Sequence, residues 1–196
     1  MRYRADITAG SLKVHESRII ANLLLRRADA SAWKSALYAE NVLQTRNPAT
    51  ARRLARLLRN RLETMGPELW RLVREGSSLV ATHACLAAAI KESALLGDFL
   101  DLVVREQYRL FSPILPRRLW EGFIADCRAR DPAMPQWRES TIQRLRSSVY
   151  QILAQAGFIE NSRSLTLQTV HIAPEVLRYL DGHAESYVLR CIQVGP

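Results

Sequence analysis

Between Arg46 and Arg61 the chain carries Arg52, Arg53, Arg56 and Arg59 and no acidic residue. On a 100° wheel these arginines gather opposite an apolar stripe of Ala51, Leu54, Leu58, Leu62 and Met65, with Arg61 at the flank of the stripe. A guanidinium stays charged at every relevant pH and offers a planar fork of donors that meets a phosphate bidentately. Four such contacts on duplex DNA give a slope of log affinity against log salt of about −3 to −4. The competing account is a solvated amphipathic helix. Glu63 can pair with Arg59 one turn away, but a single carboxylate does not neutralise the face. Charge by itself does not choose between DNA and RNA.

A second group suited to polar recognition lies in the last third of the chain. Ile142, Leu145, Val149, Ile152, Leu153 and Ala156 mark one face of a helix, which leaves Ser140, Gln143, Arg144, Ser147 and Gln151 on the exposed face. Ser140 with Gln143 reads as a capping box, with a helix start already near Gln136 as the alternative, and Gly157 reads as the residue that ends the helix. Phe158–Glu160 and Ser164–Gln168 read as two short strands around the turn Asn161-Ser162-Arg163. Helix, glycine, strand, polar turn, strand is the order of a winged helix, whose helix enters the major groove and whose wing meets phosphates. Ser140, Gln143, Arg144 and Ser147 are then base-edge or phosphate contacts, and Arg163 sits at the wing tip. The competing account is a polar helix face beside an ordinary hairpin, or a protein-docking module.

Catalytic patterns find little support. His15, His83, His171 and His183 are scattered, and no HExxH, GxSxG, P-loop or GxGxxG occurs. His83 and Cys85 lie two apart on a helix and do not share a face, so buried packing is the better account of them than metal binding. Asp98 and Asp101 share a helix face at i,i+3, a weak nuclease hint. Trp33, Trp70, Trp120 and Trp137 read as core anchors rather than stacking platforms. No enzyme activity, cofactor or metal is expected.

The elements that position these groups are mostly helical. Helices are read over Glu16–Arg27, from a Ser31 cap through Tyr38, over about Pro48–Met65 behind an Asn47 cap, and over Pro67–Glu75. A long helical region follows to about Leu110, with a break at Gly97. Further helices cover about Arg117–Ala129, the exposed-face helix already named, and two short helices from Pro174 to about Cys191. Asp131-Pro132 and Met134-Pro135 make the strongest boundary signal.

Composition bounds the partner. The 196 residues hold 28 Lys and Arg against 19 Asp and Glu, a net charge of +9. Residues 1–76 carry 15 basic and 7 acidic side chains, a net of +8, so the positive field is concentrated there. A polyanion is the expected partner, although arginine also accumulates in GC-rich genomes. Three isolated cysteines suit a reducing compartment. The longest uncharged stretch, residues 76–90, is too short for a membrane span of about 20 residues. The expectation is a cytoplasmic protein with no membrane partner.

Several runs resemble a known family. Glu16-Ser17-Arg18-Ile19-Ile20-Ala21-Asn22-Leu23-Leu24-Leu25 is similar to the N-terminal signature of the BrxA family, small proteins encoded in bacterial BREX phage-defence clusters. Glu40-Asn41-Val42-Leu43-Gln44, Pro48-Ala49-Thr50-Ala51-Arg52 and Arg59-Asn60-Arg61-Leu62-Glu63 carry the most specific part of the likeness. Leu95-Leu96-Gly97-Asp98-Phe99, Arg130-Asp131-Pro132, Ser140-Thr141 and Ala154-Gln155-Ala156-Gly157 extend it along the chain. The resemblance implies other BREX proteins as partners, association with DNA, and kinship with a helical RNA-binding antitermination factor; it carries no catalytic motif across.

The combined expectation is a mainly α protein. A helix-turn-helix-like basic bundle spans residues 1–76, a central helical connector 77–131, and a winged helix with one small β-hairpin 132–196. The expected function is duplex DNA binding without catalysis. An RNA-binding antitermination-like protein and a protein-interaction scaffold are the alternatives.

Overall fold

The structure, a computed structural model, describes residues 2–7 and 11–195. It is mainly helical. Helix α1 (Val14–Leu25) turns Ile20 and Ala21 inward and packs on α4 (Pro67–Glu75). Helix α2 (Ala30–Lys34) begins one residue before Ser31, because Asp29 is its cap: the Asp29 carboxylate accepts the Ala32 N–H at 2.8 Å. It runs on as a wider π turn over Ser35–Ala39. In the connector that follows, Asn41 is left-handed and its amide bonds the backbone of Thr45 on both sides. Asn47 and Pro48 start α3 (Pro48–Glu63) as their types predict, with the Asn47 side chain accepting the Thr50 N–H at 2.8 Å.

The uncharged stretch becomes the central helix α5 (Ser78–Glu92), buried at nearly every position from Val80 to Ile90. Helices α1, α3 and α4 surround it together with α10 (Pro174–Gly182) and α11 (Ser186–Ile192), and a helix so enclosed is apolar all round. Among the described residues no single helix is long and apolar enough to cross a membrane.

The break in the long helical region falls at Ser93 and not at Gly97. Ser93 takes an extended conformation, its hydroxyl donates to Asp6 at 2.6 Å, and the helical axes on either side differ by 107°. The chain continues as α6 (Ala94–Asp98), a π turn over Phe99–Val104 and α7 (Arg105–Arg109). Gly97 serves close approach instead: a Cβ there would collide with the Tyr187 hydroxyl.

Helices α8 (Arg118–Arg130) and α9 (Glu139–Gln155) close over an edge-packed aromatic cluster. Phe99 lies 5.2 Å from both Trp120 and Phe123 and 5.9 Å from Tyr150, measured between ring centroids. The capping box does not form. Helix α9 already starts at Glu139, so Ser140 and Gln143 lie inside it and the Gln143 amide donates to Glu139. Gly157 ends α9 in the left-handed region, φ 86°, and Phe158 N–H returns to the Leu153 carbonyl at 2.9 Å.

The two expected strands reduce to isolated bridges, and no β-strand forms among the described residues. Ile159 bridges Leu167, and Glu160 N–H and Gln168 N–H reach the Thr166 and Phe158 carbonyls. The same segment is bonded on its other side by residues 113–115: Ile114 bridges Thr166, and Leu115 N–H donates to the Leu165 carbonyl at 2.9 Å. Left-handed Leu165, φ 58°, and the missing donors of Pro113 and Pro116 keep these ladders short. One continuous cluster of buried side chains runs from Tyr3 to Val194.

His83 is buried packing, as its position on α5 implies. Its Nδ1 accepts the Ala173 N–H at 3.0 Å, and Nε2 is buried as well. Burial holds the imidazole below its ordinary 6.5. The folded state therefore favours the neutral ring. Its stabilising effect is complete above the unfolded value and is lost as pH falls toward the folded one. Thermal melts from about pH 7.5 to about 5.5 are expected to fall more steeply for the parent than for His83→Gln. Equal slopes would remove His83 from the acid response.

Candidate nucleic-acid interface

Because Ala51, Ala55, Leu58 and Leu62 of α3 face the core, the opposite side of the helix is solvent-facing, and Arg52, Arg53, Arg56 and Arg59 are all exposed there. The four are not equivalent. Arg59 donates through Nε to Glu63 at 2.7 Å and lies 5.0 Å over the Trp33 ring. Arg52, Arg53 and Arg56 have no ion-pair partner among the described residues, so their charge is uncompensated. Arg61, at the flank of the stripe, turns inward: it is 3% exposed, with Nε at 3.2 Å from Glu92 and Nη1 donating to the Ser11 carbonyl. It holds α3 to α5 and contributes nothing to the exposed face. Lys34 extends that face, since it lines one shallow recess with Arg52, Tyr38, Pro48 and Ala49. No signal in the sequence marks Lys34, because only the packing of the π turn over Ser35–Ala39 on α3 brings it alongside Arg52.

On α9, Ser140, Gln143, Arg144 and Ser147 are exposed, as is Arg163 in the turn after it. Arg144 and Arg163 have no carboxylate partner among the described residues. The turn is held by Asn161, whose side-chain oxygen accepts the N–H groups of Arg163 at 2.8 Å and Ser164 at 2.9 Å. Two of the polar contacts are engaged within the helix: Gln143 with Glu139, and the Ser147 hydroxyl with the Gln143 carbonyl. Sequence reasoning missed Arg117 and Arg146. Both line a cavity of about 370 Å³ between α9, the start of α8 and the turn. Arg146 pairs with Glu121 at 2.6 Å, whereas Arg117 donates to the Ser162 carbonyl at 2.5 Å.

The groups that resembled catalytic ones are committed to internal bonds. Asp98 is buried and accepts from Arg2 at 2.7 Å, the Tyr3 hydroxyl at 2.7 Å and the Tyr187 hydroxyl at 2.8 Å. Asp101 accepts from Arg105 at 3.0 Å and Arg190 at 2.9 Å. Burial pushes the thiols of Cys85 and Cys127 up to about 11 and that of Cys191 up to about 12, so all three stay protonated near neutrality. Among the described residues no group of three or more His, Cys, Asp or Glu side chains is placed to hold a metal ion. Trp120 is fully buried, and Trp33, Trp70 and Trp137 are half-buried against the core. The exposed faces of α3 and α9 are where unpaired cations and polar donors gather.

A family model described as BrxA matches residues 1–184. A BREX protein BrxA from Paramagnetospirillum magneticum is 56% identical over 194 residues, covering 99% of this chain and 98% of its own length. A BREX protein BrxA from Escherichia coli O9:H4 is 33% identical over 170 residues, covering 87% of this chain and 80% of its own. The crystal structure of an uncharacterized protein from Magnetospirillum magneticum superposes with a TM-score of 0.92 at 53% identity, with 100% of both chains covered.

Proposed function

The chain belongs to the BrxA family of BREX phage-defence proteins, and from that premise we propose that it is a non-catalytic component that binds duplex DNA mainly through arginine–phosphate contacts, alongside other BREX proteins in the cytoplasm. The observation that carries this reading is the uncompensated triplet Arg52, Arg53 and Arg56 on the solvent face of α3. Such a row meets a sugar-phosphate backbone without needing a particular base sequence, so the expected preference among sequences is weak.

The reading assigns α9 as a groove-facing helix in a winged-helix-like unit. Its support is the order of segments: residues 113–115, α8, α9, residues 158–160, the 161–164 turn, and residues 165–168, with the last segment bonded to both of the other bridging segments. The free guanidinium of Arg144 is the side chain on α9 best suited to a guanine edge. Replacing Arg144 by alanine is expected to change the preference among sequences in a selection assay. An unchanged preference would make it a phosphate contact or a bystander.

The test of the whole reading is a gel shift of the purified protein against duplex DNA, single-stranded DNA and structured RNA at matched salt. Duplex DNA is expected to shift at the lowest protein concentration and to be released as salt rises. Stronger competition by structured RNA would move the assignment to an RNA-binding protein. No shift of any nucleic acid at about 50–150 mM salt would leave a scaffold whose basic helix docks an acidic protein.

A further inference from the structure

We propose that the cleft between α9, the start of α8 and the 161–164 turn is a phosphate clamp, in which Arg117, Ser147 and Gln151 hold one backbone phosphate of duplex DNA. The inference rests on the duplex reading above and adds a site to it that the helical faces alone do not define. The cavity of about 370 Å³ is lined by Arg117, Arg146, Ser147, Tyr150, Gln151 and Ser162, and no carboxylate lines it.

The charge balance selects the occupant. Arg146 is paired with Glu121, so Arg117 supplies the uncompensated positive charge of the cleft. Arg117 places one of its five N–H donors on the Ser162 carbonyl, a neutral acceptor, which ties the guanidinium to the turn and leaves the rest of its fork for an anion. The Gln151 amide has no hydrogen-bond partner among the described residues. The Ser147 hydroxyl donates only to the carbonyl one turn back on its own helix, a bond that rotation about χ1 exchanges for an external acceptor. Tyr150 forms the floor, its ring buried and its hydroxyl bonded to the Pro116 carbonyl at 3.0 Å. A guanidinium, an amide and a hydroxyl that line one recess without a carboxylate in its lining are complementary to a phosphate oxygen set. The position of the cleft agrees with this: one wall is the helix assigned to the groove and the other is the turn that carries Arg163.

The test uses the intact protein and a salt titration of duplex binding, with circular dichroism and thermal melting as checks of the fold. Arg117→Ala is expected to flatten the salt slope by about 0.9, the value of one phosphate contact. Gln151→Glu sets a carboxylate in the cleft and is expected to weaken binding several-fold. Gln151→Lys is expected to tighten it and to steepen the slope by about 0.9. Position 151 is exposed, so neither Gln151 variant should disturb folding. If the parent binds duplex DNA and all three variants keep its slope and affinity, the clamp is wrong while the duplex reading stands. If Arg117→Ala lowers the melting temperature and both Gln151 variants behave as the parent, Arg117 only fastens the turn and the clamp is again wrong. If the parent binds no duplex DNA, the duplex reading falls and the clamp falls with it.

Discussion

Replacing Arg52, Arg53 and Arg56 together by alanine is expected to flatten the salt slope of duplex binding by about 2.7, three phosphate contacts at about 0.9 each. Affinity should fall for every sequence tested, because phosphate contacts carry no sequence information. Folding should be unaffected: the three side chains are exposed and have no ion-pair partner among the described residues, and alanine is the best helix former. Arg59→Ala provides the internal comparison. That guanidinium already binds Glu63 and lies over Trp33, so its removal also frees a carboxylate beside the face. The net charge change is the same as for each of the other three, but the lost contact with DNA is smaller. A triple variant whose salt titration overlays that of the parent would show that α3 is not the contact surface.

The largest expected effect on stability is that of Asp98→Ala, at about 3 kcal/mol. The carboxylate is buried and accepts three charge-assisted bonds, from Arg2, Tyr3 and Tyr187. Removing it leaves the buried Tyr3 hydroxyl without its acceptor and the Tyr187 hydroxyl with only the Ala94 carbonyl at 3.5 Å, and an unsatisfied buried donor costs more than the bond contributed. Arg2 is half-exposed and regains water, so its share is small. Asp98→Asn should cost less, since the amide oxygen still accepts. Chemical denaturation of the two variants checks the ranking. Equal, near-zero losses would release Asp98 from its structural role and restore the question of what a buried carboxylate does beside Asp101.

The residues of α3 show how much of the interface is written locally. Its cap, its proline start and its apolar stripe are all set by neighbours within one or two turns, so the exposure of Arg52, Arg53 and Arg56 follows from helical period alone. Arg61 breaks from the flank position that the wheel assigns it. Its inward turn depends on Glu92 and the Ser11 carbonyl, groups far away in the chain. The α9 face reads equally well from its stripe, yet its capping box does not, because nothing in a capping pattern says whether the helix has already begun one residue earlier. The break at Ser93 in place of Gly97 has the same origin. Glycine signals freedom, but here the space was needed for Tyr187, and the bend was made where Asp6 could bind the Ser93 hydroxyl.

Period and charge, read along the chain, were enough to determine a mainly helical protein with a basic first third and two faces of exposed polar side chains, whereas the enclosure of α5 within the core emerged only from the packing of five helices around it. Both properties are local sums: a stripe recurs every three or four residues, and a net charge needs no geometry. Tertiary packing alone decided which cations remain free. It laid Arg59 over Trp33, buried Arg61, set Lys34 beside Arg52, and tied Arg117 to Ser162 in one cleft with Ser147 and Gln151. Those outcomes turn on contacts between distant segments, whose distances are fixed only when the helices dock.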